Sequence, residues 1–242
     1  MKNAPLKGRG IVVTRPASLA NGLARLIESA GGRALLFPAI EIQPLAVRLP
    51  EGKFDMAVFI SPTAVREGLP HLAHRPAHIV ALSHGTRREL ERQGISGAIA
   101  ADEGADSEAL LARPELQGVA GRRVAIFRGE GGRSVLGDGL RSRGATVEYV
   151  ECYRRVRPRS DPAPLIAAWR DGALHAVTVS SGEGLDNLWQ MLDVELLSSV
   201  PLFVPHLRVA EAARRRGARE ALVAGPADDE MLAALVAYFQ AS

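Results

Sequence analysis

Residues 8–16 read GRGIVVTRP and residues 121–129 read GRRVAIFRG. Each is a β-branched run behind Gly-Arg that ends in an arginine, Arg15 or Arg128. Each then leads into an amphipathic stretch of helical period, SLANGLARLIESAG or RSVLGDGLRSRG, that closes at a glycine, Gly31 or Gly144. A second apolar run follows, ALLFPAI (34–40) in one case and TVEYVEC (146–152) in the other. Strand, helix and strand in this spacing make a βαβ unit with parallel strands. An arginine at the carboxyl end of a buried strand, just ahead of a helix, is a natural contact for an anion. Two such units in one chain suggest a cleft for a ligand with several negative charges.

A second type of unit is also repeated. DMAVFISPTAV (55–65) resembles HAVTVSSGEGL (175–185), with Ser61 opposite Ser181. LSHGTRRELERQG (82–94) resembles VPHLRVAEAARRRG (204–217), and the acidic helix starts DSEALL (106–111) and DDEMLAAL (228–235) follow. Ten strands are expected, at 10–14, 34–38, 55–60, 78–82, 98–100, 123–127, 146–151, 175–180, 201–204 and 221–223. Most are separated by amphipathic helices with C-terminal glycines at Gly31, Gly144 and Gly217. The fold class is therefore α/β with parallel sheets, and ten strands divide naturally into two flavodoxin-like sheets of five.

A first-type unit supplies two strands and a second-type unit three, so each sheet needs one of each. Either successive units pair, giving consecutive domains, or the middle units pair and the outer ones close around them. PAIEIQPLAVRLPEG (38–52) and ECYRRVRPRSDPAP (151–164) are extended and punctuated by proline, and together they suit a two-stranded crossing. RPELQGVAGRR (113–123) is short and suits a connection inside a domain. These connections favour the nested arrangement: a discontinuous lobe of 1–38 plus 159–242, an inserted lobe of 46–150, and connector strands at 39–45 and 151–158.

The 242 residues are 47% hydrophobic and 24% charged, as expected for a chain that buries a real core. Lys and Arg total 30 against 27 for Asp and Glu, without a polybasic tract, and only 5% are aromatic. Nucleic acid binding is not expected, because no basic stripe is interleaved with stacking aromatics. The single cysteine, Cys152, excludes an internal disulfide and suits a reducing cytosol, where it reads as a small buried hydrophobe. No signal peptide is expected, and no apolar run approaches the ~18 residues of a membrane span. RGEGGRS (128–134) fails the dinucleotide pattern at Ser134, no P-loop or GxSxG elbow occurs, and His71 and His74 lack a third metal ligand.

In order along the chain, VTRP (13–16), FP (37–38), FISPTAV (59–65), DSEALL (106–111), FRGEGGR (127–133), RGATVEYVECYRR (143–155), TVSSGEGLDNLW (178–189) and AEAARRRG (210–217) resemble the uroporphyrinogen-III synthase family. The resemblance implies two flavodoxin-like lobes, one discontinuous, joined by a two-stranded β connector. It implies a lyase that closes hydroxymethylbilane, a linear tetrapyrrole rich in carboxylates, with loss of water and inversion of the last pyrrole ring, in haem and sirohaem biosynthesis. An azafulvene cation and a spiro intermediate belong to that chemistry. Since the substrate also closes unaided to the uninverted isomer, catalysis lies chiefly in holding one reactive geometry. The resemblance further implies no metal or organic cofactor and hand-over of substrate from the preceding bilane-forming enzyme; the lone cysteine suits a cytoplasmic location, and a monomer is expected because no large unexplained apolar stripe is apparent.

Tyr153 matches the family's connector tyrosine and would assist departure of the hydroxyl; the alternative is an aromatic wedge in the hinge. Arg15 and Arg128 would pair with carboxylate arms, or else form structural ion pairs with neighbouring elements. Ser61, Thr86, Ser107, Ser180 and Ser181 would cap helices and line the cleft, and Gly129 would meet the substrate through backbone. Two turns depart from the family pattern: Ser83 stands where a glycine is usual, and His206 and Val209 occupy the matching turn of the later unit. His84 and His206 read as polar turn residues. A non-catalytic two-lobed binding protein for an anionic metabolite is the alternative function.

Overall fold

A computed structural model describes residues 4–100 and 106–241. The chain divides into two compact units, Met1–Glu41 with Val156–Ser242, and Ile42–Arg155.

The discontinuous unit holds a five-stranded sheet of β1 (Gly10–Val13), β2 (Arg33–Leu36), β9 (Ala176–Thr178), β10 (Leu202–Val204) and β11 (Ala221–Val223), numbered in chain order. The order across the sheet is β11-β10-β9-β1-β2, and every neighbouring pair is parallel. Side chains alternate between faces along a strand. Ile11, Val13, Ala176 and Phe203 therefore join one core with α1 (Ala17–Ser29) and α10 (Asp228–Ala241). Val12, Val177, Leu202 and Val204 join the other, with α6 (Ala163–Arg170), α7 (Gly182–Met191), α8 (Val194–Ser199) and α9 (Leu207–Arg215). Burial on both faces explains why β1 reads GIVV rather than alternating polar and apolar.

The second unit holds β4 (Met56–Phe59), β5 (His78–Ala81), β6 (Ile99–Ala100), β7 (Arg123–Gly129) and β8 (Thr146–Val156). They run in the order β8-β7-β4-β5-β6, again with parallel neighbours. One face carries Ala57, Phe59, Ala125 and Phe127 against α2 (Pro62–Gly68) and α3 (His84–Arg92), with the rings of Phe59 and Phe127 stacked at 4.7 Å. The opposite face carries Met56, Val58, Val124 and Ile126 against α4 (Ser107–Leu111) and α5 (Val135–Ser142).

The two sheets have the same spatial order. In the discontinuous unit it is second strand, first, third, fourth and fifth; in the other unit the same order appears when counting starts at β7 and resumes at β4. The second unit is a circular permutation of the first. In such sheets the connections diverge to opposite faces at a switch point, and ligands bind outside the carboxyl ends of the strands there. The switch points fall between β1 and β9 and between β7 and β4.

The expected strands match β1, β2 and β4 to β11, but two differences appear. β8 continues without a break from Thr146 to Val156, through residues expected to belong to a separate connector. β3 (Glu41–Pro44) then bonds to it, and the second sheet has six strands. A bare edge strand presents unpaired N–H and C=O groups, and the extended EIQP segment covers them. Beyond it, Leu45 N donates to Cys152 O at 3.0 Å. The glycines expected to end α1, α5 and α9 do so at positive φ, +87° at Gly31, +84° at Gly144 and +100° at Gly217.

Candidate functional site

In the discontinuous unit the switch point is pinned by two threonines. Thr14 Oγ1 donates to Thr178 O at 2.7 Å, and Thr178 Oγ1 donates to Val12 O at 3.0 Å, so the ends of β1 and β9 are cross-clamped. Arg15 follows directly. Its guanidinium donates to Pro226 O at 2.9 Å and lies 2.8 Å from Asp228 Oδ1 at the start of α10. After β9, Ser180 is half-buried, and Ser181 caps α7 by accepting from Gly184 N at 3.0 Å. Ser181 sits in extended backbone, as an N-cap requires. His206 is exposed and makes no side-chain cap at α9.

In the second unit, Ser61 caps α2 by accepting from Ala64 N at 3.0 Å, and its Oγ lies 3.1 Å from Tyr153 Oη. Tyr153, on β8, is 1% exposed. Arg155 Nη2 donates to the same phenol oxygen at 3.4 Å. A Cβ on Gly129 would come within 2.9 Å of the Tyr153 ring, so the close approach of β7 to the ring needs glycine. The register between β7 and β8 slips there: Arg128 faces Glu151 and Gly129 faces Tyr153. That bulge turns Tyr153 toward Ser61.

Arg128 is held on every side. Its Nη2 donates to Glu151 Oε1 at 2.9 Å, its Nη1 donates to Gly132 O at 2.9 Å, and its guanidinium stacks over Tyr149 at 3.8 Å. Tyr149 in turn donates to Ser134 O at 3.1 Å. The glycine loop after β7 is thus folded back on its own arginine. Cys152 is fully buried, its thiol directed at Arg128 O at 3.4 Å, and burial pushes its pKa up to about 12. It is inert as a nucleophile.

Capping is distributed differently from expectation. Ser61 and Ser181 cap helices, but Thr86, Ser107 and Ser180 do not. Ser83 caps α3 by accepting from Thr86 N at 3.2 Å, and its Oγ lies 2.9 Å from the Oγ1 of Thr86, which is fully buried. The departure from the family glycine at Ser83 is therefore a helix cap. Asp106 caps α4 through Ala109 N at 2.8 Å, leaving Ser107 in the first turn. In both cases the residue in extended backbone takes the cap, and a residue already inside the helix cannot.

The structure brings Ser61 and Gly129 each against Tyr153, with Arg128 next to Gly129 on β7. Thr86 and Ser107 lie at the helices that follow the next strands of the same sheet, β5 and β6. Arg15, Ser180 and Ser181 lie at the corresponding switch point of the discontinuous unit. Further residues at the carboxyl ends of strands were not singled out by the sequence: Leu36, Leu207 and Val223 are exposed by 54%, 59% and 51%. They lie on the carboxyl side of β2, β10 and β11, to either side of the switch point between β1 and β9, where exposed apolar side chains suit an apolar ligand surface.

The family model described as uroporphyrinogen-III synthase HemD matches residues 21–234. The chain belongs to the uroporphyrinogen-III synthase family. The uroporphyrinogen-III synthase of Escherichia coli (strain K12) is 32% identical over 240 residues, covering 92% of this chain and 97% of the relative. Among solved structures, uroporphyrinogen-III synthetase from Helicobacter pylori 26695 superposes with a TM-score of 0.64 at 14% identity, over 95% of this chain and 99% of that one. A uroporphyrinogen III synthase from the extremely thermophilic bacterium Thermus thermophilus gives 0.55 at 18% identity, over 97% and 99%. These two share the fold. Uroporphyrinogen-III synthase is a cyclising lyase of tetrapyrrole biosynthesis, and that is the activity of this family. Among the described residues no helix is long and apolar enough to cross a membrane.

Proposed function

We propose that this uroporphyrinogen-III synthase binds the carboxylate arms of hydroxymethylbilane at both switch points, through Arg15, Ser180 and Ser181 in the discontinuous unit and through Ser61, Thr86, Ser107, Arg128 and Gly129 in the other. The observation that carries this reading is the repeated strand order: two sheets of one chain each end a switch-point strand in an arginine, beside a serine-capped helix. Backbone amides at the starts of α1 and α7 serve the same carboxylates. Leu36, Leu207 and Val223 take the apolar ring faces.

Tyr153 assists loss of the hydroxyl as water. Arg155 donates into its phenol oxygen, and Ser61 Oγ lies 3.1 Å from it, where either hydroxyl can donate; with Ser61 as the donor, the phenol proton is left for the substrate. The same donors stabilise the oxygen as the proton leaves, a modest contribution from an acid with a pKa of ordinarily ~10. The larger share comes from holding the flexible chain in one geometry, worth several kcal/mol.

The nested lobes are part of this reading, with 39–45 and 151–158 as the crossings between them; the pairing of β3 with β8 supports it. The protein acts as a cytoplasmic monomer and takes its substrate from the enzyme that makes the bilane, since a substrate that closes unaided is best not released.

The test supplies freshly made hydroxymethylbilane and separates the oxidised products. Isomer III in excess is expected, whereas isomer I alone at the spontaneous rate overturns the reading. Tyr153→Phe should slow isomer III without unfolding the protein; a rate equal to the parent's makes Tyr153 a packing residue.

A further inference from the structure

Each switch point pairs its arginine with a carboxylate of the protein itself. Arg15 Nη2 lies 2.8 Å from Asp228 Oδ1, and Arg128 Nη2 lies 2.9 Å from Glu151 Oε1. The two arginines correspond in the sequence repeat, but their partners do not: Asp228 opens α10, whereas Glu151 lies on β8. The same pairing has thus been reached from two unrelated elements.

Both pairs also leave hydrogen-bonding capacity unused. Among the described residues, the buried side-chain polar atoms without a hydrogen bond are Arg128 Nε and Asp228 Oδ1, one in each pair. Asp228 Oδ1 is within ion-pair distance of Arg15, yet the N–H does not aim along it. Buried polar atoms are satisfied by protein, by water or by a bound group, so each of these two atoms can take a further partner. Neither pair is sealed in the core. The side chains of Arg15 and Asp228 are 20% and 29% exposed, and those of Arg128 and Glu151 are 13% and 36% exposed. Exchange of Glu151 would leave Arg128 in place, since Gly132 O and the Tyr149 ring hold it as well.

We infer that Asp228 and Glu151 are resident counter-carboxylates that occupy Arg15 and Arg128 in the free enzyme and give way to carboxylate arms of the tetrapyrrole. The inference rests on the proposed role of the two arginines as carboxylate contacts. Exchanging one carboxylate for another is nearly neutral, so a simple monocarboxylate gains little by displacing either residue. A ligand held at either unit by its other contacts presents its carboxylate at a raised effective concentration, which a free monocarboxylate does not. Asp228 and Glu151 thereby select against the single-carboxylate anions that would otherwise fill each site.

Asp228→Asn and Glu151→Gln keep shape and an acceptor oxygen while removing the competing charge. Each should lower KM for hydroxymethylbilane about 3-fold with kcat little changed, because the binding-competent fraction rises. Sodium acetate should then inhibit the double variant but not the parent at equal ionic strength. Equilibrium binding of uroporphyrin III, an octacarboxylate, should tighten in step. Glu130→Gln and Asp229→Asn, exposed acids nearby on the chain, are the controls for a general field effect. Glu151→Asp, which withdraws the carboxylate from Arg128 without removing its charge, should also lower KM and guards against a folding defect in Glu151→Gln. An unchanged or raised KM in folded Asp228→Asn and Glu151→Gln overturns the inference, as does an equal fall in both controls. Arg15→Gln and Arg128→Gln separate the arginine contacts from the exchange. If both leave KM and kcat unchanged, the carboxylate-contact reading itself fails; if they raise KM while the acid variants do not lower it, only the exchange fails.

Discussion

Glu89 tests how the helix starts of the second unit are held. It is the charged side chain among the described core residues, 4% exposed, and it lies on α3. Arg66 on α2 grips it with a two-pronged fork, Nε to Oε1 at 2.9 Å and Nη2 to Oε2 at 3.0 Å. The fork ties the helix capped by Ser61 to the helix capped by Ser83. Glu89→Gln keeps the volume but turns an amide N–H₂ toward a guanidinium N–H. Removing one partner of a fully buried pair costs about 3–5 kcal/mol. The Arg66 side chain is 27% exposed and can recruit water, which brings the expected loss to about 2 kcal/mol. For a chain of this size that lowers Tm by roughly 4–8 °C.

The protein carries unit-specific reporters for this experiment. Its one cysteine, Cys152, is buried in the second unit, while its two tryptophans, Trp169 and Trp189, lie in the discontinuous unit. Urea unfolding read by pulse labelling of Cys152 therefore follows the unit that contains Glu89. The fork holds the Glu89 carboxyl below the usual carboxylate range, against an opposing effect of burial. A lowered folded-state value means that the stabilisation is complete above the unfolded glutamate value of ~4.3 and disappears as the pH falls through the folded-state value. Parent and Glu89→Gln should differ at neutral pH and converge in acid. A difference under about 0.5 kcal/mol at neutral pH, or a gap that persists into acid, would refute the reasoning.

Other expectations are simpler to state. Gly137→Ala places a Cβ on the Tyr149 hydroxyl, so Tyr149 must shift from beneath Arg128. The expected cost is about 1–3 kcal/mol with a raised KM, and a parent-like KM would mean that the stack does not shape the site. Thr14→Val removes the 2.7 Å bond to Thr178 O and should cost about 1–2 kcal/mol in the tryptophan-reported transition, which would stay put if the clamp is dispensable. Trypsin should cut first at the exposed Arg48 and Arg159, since Pro158 protects the bond after Arg157, releasing a stable fragment of roughly 45–157. Early cleavage into stable halves near 115 would argue against nested lobes.

Strand positions were legible because strands buried on both faces must be written as continuous apolar runs, as GIVV and MAVF are. The glycine stops were legible because only glycine takes positive φ without strain. β3 falls within the stretch read as a connector strand, 39–45, but its joining a sheet is not legible: EIQP has no apolar run, and its place depends on β8 leaving an edge to cover. The partners of Arg15 and Arg128 are equally hidden, because Asp228 is far from Arg15 in sequence and nothing local marks it. Ser83 carries a readable signal, a serine three residues ahead of a threonine at a helix start, but beside the family pattern it reads as a missing glycine. Leu36, Leu207 and Val223 look like core residues in the sequence, and only the ends of the strands show them bare.

The permuted order of the two sheets governs how the chain can fold as it is made. β1 lies between β2 and β9, and Ile11 pairs with Ala176. All of 42–155 must therefore be synthesised before β1 meets its second neighbour. At translation rates of about 5–20 residues per second the wait is on the order of ten seconds. During that time GIVV and RALL form at best a two-stranded fragment with an open apolar edge, whereas the inserted unit already has all its own strands. The later unit in the chain is thus the one able to fold first, and the opening forty residues are the segment most in need of a chaperone.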